Sequence, residues 1–124
     1  MSGWKSDELK RIAAAEELEI ATVRRRGALR DPVTIWVVRQ DDDLYVRSVN
    51  GRTGHWFRGA QDRHEAHIEA GGIERDVRLV ETDEANDEVD AAYRTKYSRY
   101  AAGIVNSVLT PGARAATLKL VPRP

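Results

Sequence analysis

Leu44-Tyr45-Val46-Arg47-Ser48-Val49-Asn50-Gly51-Arg52-Thr53-Gly54-His55-Trp56-Phe57-Arg58-Gly59 is the stretch that decides the fold. Leu44 to Val49 carries valine and tyrosine in strand order, and alternation puts Tyr45 and Arg47 on one face with Val46 and Ser48 on the other. Asn50-Gly51 is a strong turn signal. Arg52, Thr53 and Gly54 then lead into His55 to Gln61, a helical segment of a turn or two with Thr53 as its expected cap. A strand that ends in a short turn, with no G-x-G-x-x-G opening a helix, argues against a doubly wound parallel sheet.

The flanking segments agree. Upstream, Ser6 to Glu17 has Leu9, Ile12 and Ala13 at helical spacing, Ser6 as a candidate cap, and Asp7 and Glu8 in the first turn. Leu18 to Val23 reads as a strand ending at Arg24-Arg25-Arg26-Gly27, with Gly27 marking the turn. Val33 to Arg39 is apolar on both faces, so a central strand is expected, paired in a hairpin with Leu44 to Val49 across Asp41, Asp42 and Asp43. Downstream, His64 to Glu69 and Ile73 to Thr82 form a second antiparallel pair around Gly71-Gly72. Asn86 is expected to cap a long helix reaching Val105, with Val89, Ala92, Tyr93, the Lys96 stem, Tyr100 and Ile104 as its stripe. Thr110-Pro111-Gly112 opens a last short turn before a strand over Ala116 to Val121. The order is helix, three strands, short helix, two strands, long helix, strand, and the class is α+β, with an antiparallel barrel-like sheet in a single domain over residues 1–124.

Composition bounds the chemistry. With 124 residues the chain is long enough for an adequate core without disulfides. It has no cysteine, which removes thiol catalysis and thiolate metal sites and fits a cytoplasmic location. Twenty basic and 20 acidic residues cancel, so there is no global attraction to nucleic acid or anionic lipid, and any anion site must be local. The charged first residues lack an apolar run, so neither secretion nor membrane insertion is expected.

The glycine-flanked corner is the candidate local site. Gly51 and Gly54 allow backbone amides close to an anion, Thr53 adds a hydroxyl, and Arg47, Arg52 and Arg58 could bring guanidinium forks to one rim, as a phosphate requires. The competing reading is a plain hairpin turn, with the arginines paired to Asp41 to Asp43 or Glu65. Trp36 and Trp56 could flank an aromatic ligand or pack in the core. His64 and His67 sit three apart on a predicted strand and so face opposite ways, which disfavours a metal pair. Tyr93 to Tyr100 mixes basic and aromatic residues, which suits either nucleic-acid contact or a helix whose tyrosines close the barrel or a subunit contact. No catalytic acid–base constellation stands out.

The succession Asp7-Glu8-Leu9, Leu18-Glu19-Ile20-Ala21-Thr22-Val23-Arg24, Thr34-Ile35-Trp36-Val37-Val38, Leu44-Tyr45-Val46-Arg47-Ser48, Gly51-Arg52, Trp56-Phe57-Arg58-Gly59, Gly71-Gly72-Ile73-Glu74-Arg75-Asp76-Val77 and Asp90-Ala91-Ala92-Tyr93-Arg94-Thr95-Lys96-Tyr97 resembles the bacterial domain of unknown function 2255 family. That pattern is in turn similar to the flavin-binding split β-barrel group, which includes pyridoxamine-phosphate oxidases and deazaflavin-dependent nitroreductases. The resemblance implies a split β-barrel homodimer with FMN or coenzyme F420 in a groove between subunits. It implies Arg47, Ser48, Arg52 and Thr53 near the cofactor phosphate, Thr34 and Trp36 near the ring system, and Trp56 and Arg58 closing the groove. The lysine- or arginine-Ser-Gly loop of many deazaflavin enzymes is replaced here by Gly51-Arg52-Thr53-Gly54, which favours FMN over F420. The implied activity is a flavin-dependent oxidoreductase acting on a small molecule, its chemistry carried by the flavin ring. The alternative is a cofactor-free module of the same fold that binds a small ligand or a protein.

Overall fold

A computed structural model of the chain describes residues 3–123. Seven strands form one antiparallel sheet: β1 (Leu18–Thr22), β2 (Val33–Ile35), β3 (Val38–Gln40), β4 (Asp43–Arg47), β5 (Glu65–Ala70), β6 (Ile73–Glu81) and β7 (Thr117–Pro122). Their order across the sheet is β2-β1-β5-β6-β7-β4-β3. The helices are α1 (Ser6–Ala14), α2 (His55–Ala60), α3 (Asn86–Lys96), α4 (Ala102–Asn106) and α5 (Pro111–Arg114), and a single 3-10 turn spans Gly51–Thr53. The class is α+β, and the sheet is a curled half-barrel. Among the described residues no helix is long and apolar enough to cross a membrane.

The curl follows from connectivity. β2 and β3 are the two opposite edges of the sheet, yet only Trp36 and Val37 separate them in the chain. Three Cα steps span at most about 11 Å, so the two edges must come together there. The predicted central strand Val33 to Arg39 is therefore corrected: it is two edge strands joined by a break. Its apolar residues on both faces are explained by what covers them, since Val37 and Val38 are fully buried and Trp36 stacks flat on Tyr97 with centroids 3.8 Å apart.

The break leaves the Val37 backbone groups outside both ladders, and α3 supplies their partners. The Val37 amide donates to the Tyr97 hydroxyl oxygen (3.3 Å), the Tyr97 hydroxyl donates to the Glu16 carbonyl (2.7 Å), and the Lys96 ammonium donates to the Val37 carbonyl (2.7 Å). Burial lowers the Lys96 ammonium to a pKa of about 8, so charged Lys96 weighs against the fold. That penalty is full below pH 8 and is relieved as pH rises toward the ordinary lysine value of 10.5. Urea midpoints should thus rise from pH 8 to pH 10, and Lys96→Met should flatten that rise. Burial raises the Tyr93 and Tyr97 hydroxyls above the ordinary tyrosine value of 10.0, which keeps them protonated in the folded protein, so their ionisation in the unfolded chain opposes the rise only as pH approaches 10.

Strand alternation divides the apolar residues into two clusters. Leu44 and Val46 point to the sheet's interior with Leu18, Ile20, Ile68, Leu79, Leu118 and Leu120, while Leu9 and Ile12 of α1 and Phe57 of α2 close its ends. Tyr45 points the other way, into a cluster with Val89 and Tyr93 of α3 and Tyr97 at its C-terminal end. Full burial of each aliphatic side chain contributes about 1.5–3 kcal/mol.

Several expected boundaries move. The long helix to Val105 is two helices, α3 and α4, separated by Tyr97 to Ala101: the backbone leaves the helical region at Tyr97 (φ −108°, ψ 25°) and again at Ala101 (φ −57°, ψ 144°). Ser6 is the first helical residue rather than the cap; the Lys5 amide instead donates to the Glu8 carboxylate (3.0 Å). Gly54, not Thr53, precedes α2, and Thr53 donates weakly to the Asn50 carbonyl (3.4 Å). Asn86 lies inside α3, where its side-chain oxygen accepts from Arg47 and Thr117. The hairpin at Gly71-Gly72 and the short helix opening at Pro111 match expectation, and the turn between β3 and β4 is Asp41-Asp42, with Asp43 already in β4; the Thr110 hydroxyl accepts from the Ala113 amide (3.1 Å).

Candidate functional site

One cleft of about 340 Å³ collects the aromatic candidates. The β2 strand and its continuation supply Val33, Thr34, Ile35 and Trp36; the end of β4 supplies Arg47, Ser48, Val49 and Asn50; α2 supplies Trp56. Glu17 closes one side, and Ile104, Ser107 and Val108 from α4 and beyond close another. Its size and mixed apolar and hydroxyl lining are those of a small-molecule site. Val49 and Ile104 are each 52% exposed, so the mouth is apolar.

Trp36 is held by its stack on Tyr97, with Tyr100 tilted against it at 5.1 Å, so its indole plane is fixed before any ligand arrives. Trp56 packs edge-on against Phe57 (6.1 Å). Ser48 is buried beneath Gly54, where a Cβ would overlap the Ser48 hydroxyl; glycine is what lets that hydroxyl sit there.

Five of the eight predicted residues therefore converge: Thr34, Trp36, Arg47, Ser48 and Trp56. Arg47 converges in a particular way. Its side chain is fully buried and every N–H is directed inward: Nε to Thr117 (2.9 Å), one terminal nitrogen to Asp90 and the Val108 carbonyl (2.9 Å), the other to the Asn86 carbonyl and side chain (3.2 and 3.1 Å). The Thr34 hydroxyl donates to Glu19 (2.6 Å), its cross-strand neighbour.

Arg52, Thr53 and Arg58 are not brought to the cleft. Arg52 donates to Glu81 (2.7 Å) and the Ala115 carbonyl (3.3 Å) and lies over the Phe57 ring. The Arg52 guanidinium beside Glu81 holds that carboxyl below the usual carboxylate range. Arg58 is exposed and lines a separate hollow with Arg30, His55 and Asp62. The reason is helical geometry: Trp56 and Arg58 are two residues apart on α2, about 200° around its axis, so both cannot face one cleft. The arginine rim is thus dispersed, with Arg47 and Arg52 neutralised by the chain's own carboxylates.

Glu17, Val33, Ile35, Val49, Asn50, Ile104, Ser107 and Val108 were not singled out by sequence reasoning. Ile104 carried a helical signal in the predicted stripe; Glu17, expected at the end of the first helix, sits instead in the connection after α1, which ends at Ala14. The histidines lie elsewhere. His67 faces Asp76 (2.9 Å) and Glu74 (3.2 Å) across the β5–β6 pair, and its hydrogen bond to Asp76 raises its pKa above the ordinary histidine value. Among the described residues no cluster of three or more histidine and carboxylate groups is arranged to hold a metal ion.

The sequence profile of a family described as uncharacterized proteins conserved in bacteria (DUF2255) matches residues 8–120. The chain belongs to this DUF2255 family. No curated protein sequence matches it. Solved structures do share the fold of this DUF2255 member. A conserved hypothetical protein from Mycobacterium tuberculosis superposes with a TM-score of 0.69 at 12% identity, covering 98% of this chain and 81% of that one. A FAD-binding protein from Mesorhizobium loti gives 0.60 at 13% identity, covering 98% and 91%. An F420 reductase gives 0.53 at 19% identity, covering 93% and 90%. At such identities the likeness is one of fold.

Proposed function

We propose that this DUF2255 protein binds the planar ring of a flavin-class cofactor in the Trp36–Trp56 cleft and works as an oxidoreductase on a small molecule, with FMN preferred over F420. The observation that carries the reading is the cleft itself, in which two indoles, one pinned by Tyr97, line apolar walls next to the Ser48 hydroxyl and the Asn50 amide. The shared fold with a FAD-binding protein and an F420 reductase supports it. Bound flavin would supply the hydride chemistry. The chain's part is to flank the ring with Trp36 and Trp56, to exclude water with Val33, Ile35, Ile104 and Val108, and to hydrogen-bond a polar ring edge from Ser48 or Asn50. A split-barrel homodimer belongs to the same proposal, because the half-exposed Val49 and Ile104 leave an apolar rim that a second copy would cover.

The lining fits a ring and not a phosphate, since Arg47 spends its donors within the chain and Arg52 and Arg58 lie outside the cleft. This mismatch favours a second reading, a cofactor-free module that takes a small ligand or a protein segment in the same cleft. Mixing the protein with FMN and with F420 separates the two. The expected result is quenched flavin fluorescence and a flavin absorption band that survives gel filtration, weakened about tenfold by Trp56→Ala as one wall is lost. Flat titrations with both cofactors, together with thermal stabilisation by some other small molecule, would establish the module reading instead.

A further inference from the structure

We infer that the cleft selects its ligand by charge, admitting a planar aromatic ring that is neutral or cationic and keeping phosphate out. The inference deepens the ring-binding reading above, and it rests on Glu17 together with the bookkeeping of charge around it.

Glu17 is an exposed carboxylate on the cleft wall that pairs with no cation among the described residues. The neighbouring Glu16 takes the nearby cation, Arg99, and the Arg99 guanidinium also lies over the Tyr100 ring. On the floor, Arg47 is matched by Asp90, and Arg114 bridges Asp90 (3.5 Å) and Asp87 (2.8 Å), so these four charges cancel. The lining is thus left with one uncompensated negative charge. A phosphate entering it would shed water against apolar walls and meet a like charge, with no guanidinium free to answer. A cationic ring would meet the opposite arrangement, a carboxylate in the same lining as two indoles, and carboxylates and indoles are the groups that recognise aromatic cations.

Three tricyclic probes of similar shape test this: proflavine as the cation, riboflavin as the neutral ring and FMN as the phosphorylated one. Each is titrated by fluorescence at low and high salt against the wild-type protein and Glu17→Gln. We expect riboflavin and FMN to bind within about threefold of each other, and proflavine to bind more tightly. Glu17→Gln should weaken proflavine about five- to tenfold while leaving riboflavin unchanged. FMN binding at least tenfold tighter than riboflavin in a salt-sensitive manner would overturn the inference, because a cation from this chain or a second copy would then be reading the phosphate. Proflavine binding that ignores Glu17→Gln, or no binding of any probe, would overturn it too. If both flavins fail while proflavine binds through Glu17, the flavin reading falls and the charge selection stands.

Discussion

Arg47→Met is expected to lower stability by about 3–5 kcal/mol, because it takes the closer of two cations from the nearly buried Asp90 carboxylate, leaving only Arg114 at 3.5 Å, and leaves the Asn86 and Val108 carbonyls short of donors. Methionine matches much of the arginine volume, so the loss reports the charge and its hydrogen bonds more than a cavity. Removing both charges, as Arg47→Met with Asp90→Leu, should recover a large part of the loss, since a buried pair often exchanges for apolar residues at little net change. Urea denaturation of the two singles and the double gives the coupling energy directly. The result also bears on function. If Arg47→Met were nearly neutral for stability yet abolished ligand binding, the guanidinium would be a ligand group and not a structural one.

The second large effect is expected at Tyr97, which ties α3 to the junction of the two sheet edges. Tyr97→Ala should cost about 3–5 kcal/mol through the cavity it leaves and the lost stack with Trp36. Tyr97→Phe keeps the stack but leaves the Val37 amide and the Glu16 carbonyl unpartnered, for about 1–3 kcal/mol. Amide hydrogen exchange at Val37 should speed up in both variants, and Trp36 emission should change far more in the alanine variant. If Tyr97→Phe left Val37 exchange unaltered, the hydroxyl would not be what secures the crossing between β2 and β3.

These two residues mark where sequence reading works and where it stops. The hairpin at Gly71-Gly72 was legible because its glycines serve a local need: both have positive φ, and a Cβ on Gly71 would overlap the Arg11 carbonyl. Pro111 was legible for the same kind of reason, a proline at the first position of a short helix. The break at Trp36-Val37 was not, since an aromatic and a β-branched residue favour strand, and the groups that settle its backbone come from Lys96 and Tyr97, some 60 residues away (separations 59 and 60). The division of the long helix at Tyr97 was hidden likewise, because no glycine or proline marks it and the partners of the Tyr97 hydroxyl, Val37 and Glu16, are 60 and 81 residues away. At the candidate site the aromatic half was legible: Trp36 and Trp56 do line one cleft. The cationic half was not. Whether an arginine is free depends on carboxylates far along the chain, and Arg47 finds Asp90 at a separation of 43 and Arg52 finds Glu81 at 29. Glu17 read only as the end of the first helix, and nothing local marks it as part of a cleft lining.

The three tryptophans offer the most direct test of the proposal that the cleft takes an aromatic ring. Each has one indole N–H visible in a nitrogen–proton correlation spectrum, and Trp4 serves as an internal reference because its N–H is buried and donates to the Leu120 carbonyl (3.0 Å). On titration with riboflavin, the Trp36 and Trp56 signals should move together along one binding curve while Trp4 stays still. Indole signals of Trp36 and Trp56 that remain fixed while the ring binds, or a response confined to Trp4, would contradict the assignment of the cleft.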